Sequence, residues 1–227
     1  MTSNAVTSRA PLFVLILAAC ALLFPAGKAG ALTLTVAEYT FDGGSLAPTF
    51  IGNGFTASSF TGTNTGTFTT GSVGFLTDPV FRIAPPDSST QSAAAAVAND
   101  VKFSFTVDSS QFNLLGLQSL EFDGARGGGS EPRGFVLRTS ATGSQDILVE
   151  SIPTVRPTFT PYAVDLSAIP ELQDLSGPVT FDFYTFAPSS GTTVEFDNFR
   201  LTATVPEPTR VLLLGLAGLP LLLRRRR

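Results

Sequence analysis

In Val101-Lys102-Phe103-Ser104-Phe105-Thr106-Val107 every odd position is apolar and every even one polar. Alternation with a period of two belongs to a strand that packs one face and wets the other; a helix would scatter the same apolar residues around its axis. The rest of the middle of the chain agrees. Thr, Ser, Gly, Phe and Val dominate it, and Gly or Pro interrupts it at short intervals, so strands are short and turns frequent. Further strands are expected at 32–41, 50–60, 66–75, 117–122, 134–139, 147–152, 160–166, 179–186 and 193–205, with helical turns only at 93–97 and 168–172. An all-β chain built as an antiparallel β-sandwich of jelly-roll type is the architecture these elements predict.

Two of the strands change phase. Leu32, Leu34 and Val36 share a face, but the next apolar residues are Tyr39 and Phe41; likewise Val194 and Phe196 are followed by Phe199, Leu201 and Ala203. Keeping both halves inward needs one extra residue, which predicts β-bulges near Ala37-Glu38 and Asp197-Asn198.

The two ends of the chain follow other rules. Arg9 precedes the apolar stretch 11–27, and Ala29-Gly30-Ala31 follows it. A basic start, an apolar core and small residues at Ala29 and Ala31 are the parts of a secretory signal peptide, with cleavage by signal peptidase expected after Ala31. Leu17-Ala18-Ala19-Cys20 also reads as a lipobox, but the apolar run continues past Cys20 where a lipidated terminus turns polar. Cys20 is the one cysteine and there is no histidine. An exported domain of residues 32–204 therefore has no disulfide and rests on its apolar core alone. Zinc or copper sites built on His or Cys and Ser-His-Asp or Cys-His nucleophiles are excluded; only a hard, oxygen-ligated ion such as calcium is open to it.

Between residues 32 and 205 there are seven basic residues (Arg82, Lys102, Arg126, Arg133, Arg138, Arg156, Arg200) against seventeen acids, an excess of ten negative charges. Nucleic acid binding needs a basic footprint, so a nucleic acid partner is not expected.

At the other end Val205-Pro206-Glu207-Pro208 is followed by an uncharged, mostly apolar run, 211–223, and by Arg224, Arg225, Arg226 and Arg227. Thirteen helical residues rise about 20 Å, short of a hydrocarbon layer roughly 30 Å thick. A short transmembrane helix of this kind spans only with the arginines snorkelling on the cytoplasmic side, which places Pro206-Glu207-Pro208 outside. Motif, apolar run and terminal basic cluster, in that order behind a signal peptide, resemble the PEP-CTERM sorting signal of Gram-negative bacteria. The resemblance covers 205–227 and implies exosortase as a processing partner. It also implies a transient stay in the inner membrane, release into the cell envelope or outside, and a setting of exopolysaccharide and biofilm. Three segments result: 1–31 signal peptide, 32–204 sandwich, 205–227 sorting signal.

A second resemblance concerns the middle. The stretches 163–170, 179–186 and 193–203 are similar to the closing strands of carbohydrate-binding-module and galactose-binding-like jelly rolls. Such domains often clamp a structural calcium ion between first and last strands, which would make Glu38, Asp42 and Asp197 its ligands here. They also imply polysaccharide as a partner, with Tyr162 or Tyr184 beside Asn198 or Arg138 on a concave face. Against this stands the absence of Trp and the small number of Tyr, three, since sugars stack on exposed aromatic rings. For catalysis, Glu121-Phe122-Asp123 and Glu195-Phe196-Asp197 put two acids on one strand face, the raw material of glycoside hydrolysis. Both read more simply as exposed polar strand faces, and no catalytic residue is assigned. Gly127-Gly128-Gly129-Ser130 lacks the lysine and context of a phosphate-binding loop and reads as a flexible connection. Two functions stand: a non-enzymatic envelope or matrix protein that binds polysaccharide weakly, or a polysaccharide-active enzyme working with carboxylates alone.

Overall fold

The computed structural model describes residues 31–72, 79–109 and 115–206. The leader with Ala29, the motif residues Glu207 and Pro208, the apolar run and Arg224 to Arg227 lie outside the described residues. Ala31 opens the first strand and Pro206 closes the last. Among the described residues no helix is long and apolar enough to cross a membrane.

Residues Leu32–Val205 make one compact unit. Its strands are β1 (Ala31–Tyr39), β2 (Phe50–Ile51), β3 (Thr56–Ala57), β4 (Thr61–Thr63), β5 (Thr67–Gly71), β6 (Val80–Ala84), β7 (Lys102–Asp108), β8 (Gly116–Arg126), β9 (Gly134–Thr139), β10 (Leu148–Ser151), β11 (Thr160–Asp165), β12 (Val179–Phe186) and β13 (Val194–Pro206). One sheet runs β11-β8-β13-β1-β2, with β6 also on β13 and β5 on β6; the other runs β10-β9-β12-β7-β3, with β4 also on β7. The strand ladders whose register is resolved are all antiparallel. The described residues therefore form an antiparallel two-sheet sandwich with almost no helix, as their alternation demands.

Phenylalanine fills the space between the sheets. Because β7 and β12 pair with Phe103 opposite Phe183 and Phe105 opposite Phe181, their inward rings meet face to face, 4.7 and 5.0 Å apart and within 10° of parallel. Phe196 of β13 closes on Phe103 at 5.1 Å from the facing sheet. Each ring fully removed from water contributes roughly 2–3 kcal/mol, which is how the domain holds together without a disulfide. Phe60, between β3 and β4, lies against Tyr39, Phe81, Phe103, Phe105 and Phe199.

The phase change in β13 is resolved as expected. Asp197 pairs with Asp123 and Arg200 with Glu121, so two residues on β13, Asn198 and Phe199, answer one on β8, Phe122. Asn198 takes the left-handed conformation, φ 53°, and the extra residue returns Phe199 and Leu201 to the core, where they are 2 % and 1 % exposed. In β1 the change shows as two consecutive buried residues, Val36 and Ala37. Opposite β2 its register runs on unbroken through Ala37 and Glu38, so no bulge is present on that edge.

The expected strand at 50–60 is two short pieces, β2 and β3, and β4 begins just past it. Gly54 has φ 85°, a value only glycine adopts freely, and the chain crosses from the first sheet to the second there. Strand β6 lay outside the expected set. The helical turn at 93–97 is the helix α1 (Ala93–Ala98), capped by Ser92 Oγ, which accepts from Ala95 N at 3.2 Å. It covers Val136, Tyr184 and Phe186 on the outer face of the second sheet.

Candidate functional site

Strand β13 turns Phe196 into the core, so alternation sends Glu195 and Asp197 to the outer face of the first sheet. There the two acids meet different surroundings. Glu195 is 0 % exposed, which corrects the reading of this pair as an exposed polar strand face. The cause is a cover of guanidinium groups. Arg82 stands opposite Glu195 in the β6–β13 register and brings Nε to 3.4 Å from Oε1. Arg156 Nη1 donates to the same oxygen at 2.9 Å and Thr193 Oγ1 at 3.1 Å. Arg156 reaches it because 154–156 runs alongside the end of β8: Arg126 N donates to Thr154 O and Arg156 N to Arg126 O, at 2.8 and 3.0 Å.

Two further arginines complete the cluster. Arg133 Nη1 donates to Thr193 O at 2.7 Å, and Arg126 donates to Pro153 O at 2.9 Å and to the Glu131 carboxylate. Burial pushes the Arg133 guanidinium down, the charges of Arg126 and Arg156 add to that, and Glu195 opposes it. Four of the seven basic side chains of a strongly acidic domain thus gather at one place. Gly127 is part of the arrangement: a Cβ there would lie 1.9 Å from Thr193 Oγ1 and 2.7 Å from Glu195 Oε1. Its sequence context, a Gly-rich loop after Arg126, gave no hint that its first glycine is a packing requirement.

The other carboxylates are scattered in role. Asp123 accepts from Asn198 Nδ2 at 2.9 Å, and Asp197 Oδ1 accepts from Asn198 N at 2.8 Å. Glu121 is exposed and faces Arg200 in register. Of the residues named for calcium, Glu38 pairs with Arg200 at 3.4 Å and Asp42 accepts from Thr40 Oγ1 at 2.7 Å. Among the described residues no group of three or more acidic or cysteine side chains stands together to hold a metal ion, so Glu38, Asp42 and Asp197 are not gathered into one set there.

Of the tyrosines named for a sugar platform, Tyr162 is half-buried against the core and Tyr184 is buried. Tyr162 stacks on Phe122 at 5.2 Å and meets Phe135 edge-on; burial, helped by the Glu150 charge, pushes its phenol up to about 12. Tyr184 is buried under α1, with Lys102 Nζ and the Arg138 guanidinium 5.1 and 5.5 Å from its ring centre. Neither ring lies open as a stacking platform.

No protein-family profile and no curated protein matches the sequence. Solved structures to which this chain is similar include the K1 cleaved adhesin domain of Lys-gingipain from Porphyromonas gingivalis W83, 15 % identical, covering 75 % of this chain and 97 % of that one, TM-score 0.39. A family 29 carbohydrate-binding module from Piromyces equi is 11 % identical over 76 % of this chain and 91 % of its own, TM-score 0.37. A xylan-binding domain, CBM22-1, from Paenibacillus barcinonensis is 10 % identical over 79 % and 98 %, TM-score 0.38. Identities and scores this low assign the chain to no family.

Proposed function

We propose that this chain is an exported, non-enzymatic protein of the cell envelope or extracellular matrix. Its leader is removed by signal peptidase after Ala31, and its tail by exosortase at Pro206-Glu207-Pro208 after a transient stay in the membrane. Residues 32–204 act as a jelly-roll domain that binds exopolysaccharide weakly. The tail carries this reading, and one structural observation supports it: the compact unit closes at Val205, immediately before the motif. A cut just beyond that point removes nothing from the compact unit.

Glu195 counts against catalysis by the Glu195-Phe196-Asp197 pair. A glycosidase acid must exchange a proton with substrate, whereas this carboxylate is sealed from water beneath two guanidinium groups. Two experiments test the proposal. The mass of the protein recovered from producing cells is expected to lack both ends; an intact tail rejects the processing. A glycan array probed with the full-length protein is expected to retain polysaccharides without shortening them, and release of reducing ends rejects the non-enzymatic assignment.

A further inference from the structure

The cluster around Glu195 holds more cation than it neutralises. Four guanidinium groups, of Arg82, Arg126, Arg133 and Arg156, face two carboxylates, Glu195 and Glu131, leaving two positive charges in excess. Donors are also in surplus: among the described residues of the cluster the Nε atoms of Arg82, Arg126 and Arg133 are buried without a hydrogen-bond partner, against one unpartnered acceptor, Glu195 Oε2, and Arg126 and Arg133 are 7 % and 3 % exposed. Uncompensated buried charge is unfavourable, and an anion supplying acceptors would relieve it. The way in is set by exposure. Arg82 and Arg156 keep 30 % and 32 % of their side chains in solvent, against 9 % for Arg126.

We propose that the Arg82–Arg156 rim of this cluster binds an oxyanion substituent, a uronate carboxylate or a sulfate ester, on a sparsely charged polysaccharide. The planar guanidinium fork fits the paired oxygens of either group. The sparse charge follows from the rest of the domain. Seventeen acids against seven bases repel a dense polyanion, but charges more than about 8 Å away are largely screened at physiological salt, so an isolated oxyanion responds to the arginines beside it. This inference rests on the polysaccharide reading above and specifies its ligand.

The test compares three probes by calorimetry with the full-length protein: unsulfated chondroitin tetrasaccharide, the same tetrasaccharide with its carboxyls reduced to alcohols, and a carboxyl-reduced sulfated form. The acidic tetrasaccharide is expected to bind at least about tenfold more tightly than the reduced one, and Arg156→Gln to remove most of that difference. Retention of Arg82 in that variant keeps Glu195 partly compensated; should it still fail to fold, the probe comparison on the native protein decides alone. Binding of the sulfated, carboxyl-reduced form at the acidic form's affinity assigns sulfate as an equally good ligand, and its failure assigns carboxylate. Equal binding of acidic and reduced forms, or no binding of either anionic probe at millimolar concentration, overturns the proposal. A glycan array blank at every position removes the polysaccharide reading itself, whereas equal binding of acidic and reduced forms removes only this one.

Discussion

A single carboxylate, Glu195, organises the most unusual surroundings in the domain. It lies opposite Arg82 across one ladder and under Arg156 from a loop, with Oε1 taking every contact from those partners while Oε2 is buried without one. Replacing Glu195 by Gln removes the charge and keeps the volume, so the arginines are left facing each other. A loss of about 2–4 kcal/mol in urea unfolding is expected, and an unchanged midpoint would show that the guanidinium groups relax into solvent instead. Tyrosine ionisation gives a second residue-scale outcome. The folded-state value of Tyr162 is about 12, against 10.0 unperturbed, and burial raises Tyr39 as well. A raised value means stability is complete below pH 10 and declines as pH climbs toward the folded-state value. Unfolding midpoints are therefore expected to hold up to about pH 10 and fall between there and about 12; a fall that begins well below pH 10 would have to come from other groups.

At the scale of elements, the bulge in β13 is what allows one strand to serve the core twice. Asn198 sits at φ 53°, where a β-branched side chain clashes with its own backbone, so Asn198→Val is expected to cost about 1–2 kcal/mol. Asn198→Gly, which tolerates that φ, loses only the hydrogen bond to Asp123, and the difference between the two variants by thermal unfolding isolates the backbone contribution. Phase was legible in the sequence because a bulge leaves a three-residue gap between apolar positions. The same logic found β12 at its full extent, 179–186. It missed β6, because Val80-Phe81-Arg82-Ile83-Ala84 is buried at four of five positions and offers no alternation to detect. That miss hid the site as well. Arg82 and Arg156 come from elements far apart in sequence, and nothing local to Glu195-Phe196-Asp197 distinguishes a carboxylate that two arginines will cover from one that faces water.

The whole domain depends on rings that interlock across two sheets with no covalent tie. Phe60 is 2 % exposed and touches rings contributed by both sheets, so Phe60→Ala is expected to lose about 3–5 kcal/mol. Urea unfolding followed by circular dichroism checks the value; a loss under about 1 kcal/mol would mean the neighbouring rings close the gap. This dependence on phenylalanine has a practical corollary. With no indole anywhere in the chain, the protein is dark to the usual emission assay, and the phenols of Tyr39 and Tyr162, wedged against Phe60 and Phe122, become the native reporters of whether the two layers are still closed.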